Sequence, residues 1–194
     1  MINTNKLMAS VLLVTTIFTS ALNADMSNEN AKPMKTTFID RAIGFNVSNF
    51  GDDSGYGVTF GYDKTFLVTD GFSLGFGSEV EYNTYTINEI ETLGYFVNGT
   101  LVGRYDAKET IGMPLVFKVK IGYEYGLLEE YVDGVTYGIS AKYQINPRIG
   151  IEGAVKNSSL SGYTYSYTNN TGYTTTKDEA VNRTSLTTNL IFSF

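Results

Sequence analysis

Large apolar side chains recur at every second position in eight separate stretches of this chain, and few folds accommodate that. Period two puts alternate side chains on opposite faces of a strand, so each stretch predicts a strand with one apolar face. From about Phe38, the first stretch sets Ile43, Phe45 and Val47 against Ala42, Gly44 and Asn46. The second sets Tyr56, Val58, Phe60 and Tyr62 against Gly57, Thr59 and Gly61, and the third Phe72, Leu74, Phe76, Val80 and Tyr82 against Ser73, Gly75, Gly77, Glu79 and Glu81. The fourth has Leu93, Tyr95, Val97, Leu101 and Tyr105 opposite Gly94, Asn98, Thr100 and Arg104. Leu115 to Tyr125, Val135 to Ile145, and Ile149 to Lys156 repeat the pattern, and Leu186-Thr-Thr-Asn-Leu190-Ile-Phe192-Ser-Phe194 completes it. The expectation is an all-β chain: an up-and-down antiparallel barrel of eight strands, each supplying the roughly nine to eleven residues that a tilted membrane strand needs.

The N-terminus predicts export. Lys6 is the only charge in the first 24 residues, an apolar stretch runs from Leu7 to Leu22, and small residues flank Ala24. That is the layout of a signal peptide over 1–24. A transmembrane helix is the alternative, but the stretch is short and diluted by Ser10, Thr15, Thr16, Thr19 and Ser20. Residues 25–37 are polar and aperiodic and read as a flexible leader, which leaves 38–194 for the barrel.

Composition agrees. Tyr (15), Phe (12) and Gly (20) are abundant, Pro is scarce (3), and Trp, Cys and His are absent. Aromatic residues favour strands, whereas frequent Gly disfavours long helices. A formal charge of −6 disfavours nucleic acid, which binds basic surfaces. Mean hydropathy is −0.09, as expected when lipid-facing and lumen-facing residues cancel in any window.

If both termini face the periplasm, residues 49–55, 83–92, 126–134 and 157–180 are external loops. Residues 63–70, 106–112 and 146–148 are then periplasmic connections, the last a tight turn at Pro147. Strands seven and eight are expected to project beyond the membrane as a hairpin turning at 169–172.

A soluble barrel with its apolar face inward is the competing arrangement. Side-chain size decides between the two. The polar face carries Gly57, Gly61, Gly75, Gly77, Gly94, Gly122, Gly138 and Gly150, while the other carries most of the rings. An eight-stranded barrel has a narrow interior, so the small residues belong inside and the rings on the lipid side.

The lumen face also carries charges of both signs: Glu79, Glu81, Glu124 and Glu152 against Arg104, Lys118, Lys120, Lys142 and Lys156. Registering strands six and seven on the tight turn places Lys142 opposite Glu152, with Lys118 near Lys142. Buried charges must be paired and hydrogen-bonded, so a salt-bridged plug is expected. A gated ion path is the other use of such residues.

No residue set suggests catalysis, a cofactor or a metal centre. Without His there is no imidazole general base, and without Cys or His no zinc site. Gly75-Phe-Gly77 lies mid-strand and opens no helix, so it is not a phosphate loop. Asp52, Asp53, Glu89, Glu91, Glu129, Glu130 and Asp133 make the first three external loops acidic, with no Lys or Arg among them. They are solvated acidic loops, or else a weak divalent-cation or basic-partner surface.

Strand count, alternation and the terminal Leu190, Phe192 and Phe194 make the chain resemble the small eight-stranded outer-membrane barrels of the OmpA-transmembrane-domain and OmpX kind, often called the porin family. The resemblance covers about 38–194. It implies the outer membrane of a Gram-negative bacterium, lipid and lipopolysaccharide as surroundings, and a closing aromatic strand read by the barrel-assembly machinery. It also implies envelope integrity or surface interaction such as adhesion, with a surface ligand held by loop 157–180; a narrow pore for ions or small solutes is the runner-up. Barrel enzymes of similar architecture use a His base, which this chain lacks.

Overall fold

In the computed structural model, residues 37–50, 53–87, 90–127, 131–168 and 174–194 are described. Eight strands close into one antiparallel barrel in sequence order. They are β1 (Thr37–Phe50), β2 (Asp53–Thr69), β3 (Phe72–Ile87), β4 (Ile90–Asp106), β5 (Leu115–Leu127), β6 (Tyr131–Asn146), β7 (Ile149–Thr168) and β8 (Thr174–Ser193). Closure joins β1 to β8 from Asp40 opposite Ser193 to Phe50 opposite Arg183. Every edge is paired, which satisfies the backbone without water.

The two faces fall as the alternation predicts. Phe45 (74% exposed), Leu101 (64%) and Ile139 (63%) project outward, while Asn46, Lys118, Lys142 and Asn189 are buried inside. So continuous an apolar outer wall is unsuited to water. Lumen glycines let neighbouring backbone and side chains close in: a Cβ on Gly57 would strike the Tyr82 carbonyl and the Asn83 side chain.

The connections differ from expectation. At the end that we call the turn end, β2 runs on to Thr69 and only Asp70-Gly71 separates it from β3, so 63–70 is not a loop. Gly71 takes a positive φ of 73°, and a bulge lies between Leu67 and Thr69. Asp63 and Lys64 read as solvent residues, but a polar lumen and an interfacial outer wall accept both within a strand. A short helix, α1 (Ala107–Ile111), capped by Asp106 and Gly112, links β4 to β5. At Pro147-Arg148 the Asn146 Oδ1 accepts from the Arg148 and Ile149 amides at 2.8 and 2.9 Å, fixing the tight turn.

At the opposite end, the segments 49–55, 83–92, 126–134 and 157–180 are mostly strand. β7 and β8 each reach 20 residues and pair through Thr168 opposite Thr174. Hydrogen-bonded ladders do not require alternating hydrophobicity, so the strands outrun the apolar pattern that reveals them. The predicted turn at 169–172 lies outside the described residues, as do 1–36.

Candidate functional site: the lumen

Residues of one parity on all eight strands converge in the lumen, where they form two ionic groups. Nearer the turn end, the Lys118 ammonium contacts Asp40 at 2.9 Å, Asp63 at 2.8 Å and Glu152 at 3.0 Å. Lys120 reaches Asp63 at 2.7 Å, and Lys142 reaches Asp40 at 2.9 Å and the Ser193 hydroxyl at 3.1 Å. Three carboxylates thus face three ammonium groups.

Nearer the opposite end, Lys156 contacts Glu79 at 2.7 Å, Glu124 at 2.9 Å and Glu81. Arg183 bonds Glu124 at 2.9 Å and Glu81, and its Nε donates to the Tyr85 hydroxyl at 3.0 Å. Asn46 donates to Glu81 at 2.8 Å. Here three carboxylates face two cations. Multiple donors on each carboxylate are the condition under which buried charge is tolerated.

Between the two groups lies a cavity of 30 Å³, lined in part by Glu79, Lys120, Glu152, Lys156, Thr100 and Ser140. Thr100 Oγ1 and Ser140 Oγ have no hydrogen-bond partner within the protein. A space of this size, with two unpartnered hydroxyls on its wall, suits about one or two ordered waters.

Past the Arg183 group the lumen turns apolar. Phe50, Tyr85, Phe96, Val132 and Leu160 pack together, all at most 3% exposed, with Val181 against them. Phe50–Tyr85 and Tyr85–Phe96 meet edge-on at 6.1 Å each, a favoured aromatic arrangement. The Arg183 guanidinium lies 4.0 Å from the Phe96 ring centroid. These inward rings depart from the expectation that rings lie on the lipid side. The mouth of a small barrel must be filled, and apolar groups need no charge partner there.

Sequence reasoning placed nine charged residues in the lumen, and the structure distributes them unevenly. Lys142 and Glu152 are cross-strand partners as registered. Their ion pairs go elsewhere, Glu152 to Lys118 and Lys142 across the lumen to Asp40. Arg104 stands apart at the turn end, bonded to Asp106 at 2.8 Å and 4.0 Å from the Phe38 ring centroid. Asp40, Asp63 and Arg183 were missed. Their signal was parity alone: Asp40 shares its parity with Ala42 and Gly44, Asp63 with Thr59 and Gly61, and Arg183 with Thr187 and Asn189.

Leu190, Phe192 and Phe194 all lie on the outer wall. Of the acidic loop residues, Asp52, Glu89, Glu129 and Glu130 lie outside the described residues. Asp53 opens β2, Glu91 is in β4, and Asp133 in β6 accepts from the Tyr123 hydroxyl at 3.1 Å. Among the described residues, no group of three or more acidic side chains could hold a metal ion.

No protein-family model matches the chain, and no curated protein does. Solved structures do. Ail, the attachment invasion locus protein of Yersinia pestis, in complex with the heparin analogue sucrose octasulfate, superposes with a TM-score of 0.56. Its identity is 11%, over 82% of this chain and 99% of that one. The outer-membrane protein OprG from Pseudomonas aeruginosa gives 0.50 at 11% identity, over 82% and 96%. A major outer-membrane protein from Thermus thermophilus gives 0.50 at 13%, over 80% and 99%. The fold is that of the small eight-stranded outer-membrane β-barrels.

Proposed function

We propose that this chain is an integral outer-membrane protein of a Gram-negative bacterium, exported by residues 1–24, with a plugged lumen and a surface-facing outer end. In this reading the turn end faces the periplasm, the leader expected over 25–37 gives way to β1 at Thr37, and Leu190, Phe192 and Phe194 are the signal for barrel assembly. The role is envelope integrity or surface contact rather than catalysis. An apolar outer wall and the company of solved outer-membrane barrels support the location.

One observation carries the plug: Lys118 and Lys156 each engage three carboxylates drawn from strands around the barrel. An ammonium has three donors, so neither has one left for a passing ion. The surface role is supported by β7 and β8, which at 20 residues are about twice as long as a membrane strand requires. Loops and projections held on a rigid barrel commonly carry contacts. Ail was solved with a sulfated ligand, but the acidic loops here suit a basic partner or divalent cations better than a polyanion.

Single-channel recording of the refolded, heat-modifiable protein in a planar bilayer tests the plug. A silent bilayer is expected. Reproducible discrete steps, altered in Lys142→Gln or Glu152→Gln, would overturn it in favour of a narrow pore.

A further inference from the structure

Two cations interrupt the apolar outer wall near the turn end, and they are neighbours. Arg41 of β1 pairs with Tyr62, and Ile39 pairs with Lys64 of β2, which makes Arg41 and Lys64 diagonal partners on the outward face. Such residues stand roughly 7–8 Å apart. Each is half-buried against a ring: Arg41 lies 4.7 Å from the Phe194 centroid and Lys64 5.6 Å from that of Phe66. Among the described residues, neither makes a salt bridge. The acids nearest in sequence, Asp40 and Asp63, turn inward to Lys118. Among the described residues on the outward faces of the strands, carboxylates occur at the opposite end, on Glu91 and Asp133, while Asp70 and Glu109 lie in the turn-end connections without a salt bridge to either cation.

An open groove of 460 Å³ begins where the cations end, walled by Ile43, Phe45, Phe60, Ile151, Thr188 and Leu190. Its volume is within the range of about 300–1,000 Å³ usual for small-molecule sites. Thr188 pairs with Phe45 on one side and with Gly153 on the other, and Gly153 pairs with Ala141. That row of small side chains beside bulky ones makes the trough. Ile43 is the next outward residue after Arg41, and β8 sets Leu190 beside Ile43 and Phe192 beside Arg41. The groove therefore runs into the cation pair.

We infer that this face holds one phospholipid of the periplasmic leaflet, its phosphate between Arg41 and Lys64 and an acyl chain along the groove. The inference rests on the outer-membrane reading and its orientation. Charge complementarity argues for this occupant. A guanidinium and an ammonium left without carboxylates at a membrane interface are compensated by a phosphate, which Arg binds through two parallel hydrogen bonds. Stacking on Phe194 holds the guanidinium plane, and the aliphatic stems cover the wall below. Lipopolysaccharide belongs to the other leaflet, at the end where Glu91 and Asp133 stand.

The test is native mass spectrometry of the full refolded chain released from detergent micelles doped with dioleoyl-phosphatidylglycerol or with dioleoylglycerol. The wild type is expected to retain one phosphatidylglycerol and no dioleoylglycerol. Arg41→Gln with Lys64→Gln should lower the retained fraction about tenfold. Thr188→Phe, which fills the trough and leaves both charges, should lower it as well. If the double variant fails to fold, Lys64→Gln alone serves, with a severalfold loss expected. Equal retention by the wild type and a folded variant, shown by heat-modifiable mobility, would sink the site while leaving the barrel reading intact. Equal retention of dioleoylglycerol would also sink it. Failure of the wild type to insert into vesicles would remove the membrane reading and this inference together.

Discussion

At one end of the lumen the Arg183 guanidinium lies 4.0 Å from the Phe96 ring centroid; at the other, Arg104 lies 4.0 Å from that of Phe38. The stacks match but the bonding does not. Arg183 reaches Glu81, Glu124 and Tyr85, and no part of it is exposed to solvent. Arg104 reaches Asp106, and its Nε and Nη1 lack a partner within the protein. Both side chains are buried, but their surroundings differ. Arg183 sits under an apolar cap that offers no water, so each donor must be met by a side chain. Arg104 lies beside the short α1 connection at the turn end, where Asp106 also caps the helix through the Lys108 amide at 3.1 Å. Both guanidinium groups are buried, so an identical side chain on an identical ring carries different weight according to how many partners meet it.

Truncation measures that weight directly. Arg183→Leu should cost about 3–5 kcal/mol, because it strands Glu81 and Glu124 in a sealed site. Urea unfolding from lipid vesicles would read the loss, and a cost below that of Arg104→Leu would reverse the comparison. Phe96→Ala is expected to cost about 3 kcal/mol by opening the cap. It should also admit water to Arg183, seen as faster exchange of neighbouring amides at the far end but not at the turn end. Arg104→Leu should cost only about 1–2 kcal/mol, since one partner is lost and that partner keeps its helix cap.

The smallest effect is the most discriminating between the two ionic groups. Glu79 belongs to the group with three carboxylates and two cations, and shares Lys156 with two of them. Glu79→Gln should change stability by no more than about 1 kcal/mol, in the stabilising direction. Glu152→Gln, taken from the balanced group, should destabilise because Lys118 loses one of three partners. Equal destabilisation by both would show that the imbalance of charge between the groups has no energetic meaning.

Much of the wall was legible in the sequence. Ile43, Phe45 and Val47 alternate with small and polar residues, and that alternation, together with the small size of the other face, assigns them to the outer wall and their neighbours to the lumen. The site was legible only in part. Lys118, Lys142 and Glu152 stand in the cleanest strands, so their parity is plain. Asp63 sits beside Lys64 in a stretch that reads as a turn, and Arg183 lies beyond the last obvious apolar repeat. Both belong to strands that continue after the pattern fades, because hydrogen-bonded pairing does not depend on alternating hydrophobicity. The inward aromatic cap was hidden for a related reason: Phe50 and Phe96 carry lumen parity but look like wall residues by type.

The sequence by itself determined which face each side chain takes, because period two is a local property of two adjacent residues. It also determined the number of strands and their order, since short connections leave antiparallel neighbours little alternative. Which charge meets which was decided by tertiary structure. Lys142 and Asp40 are 102 residues apart, as are Arg183 and Glu81, and both pairs meet inside the closed barrel. Closure places β1 beside β8 at one register, and the tilt of the strands then sets the level each charge occupies across the lumen. No spacing along the chain encodes that level, so the choice of Asp40 over Glu152 as partner for Lys142 exists only in the folded barrel.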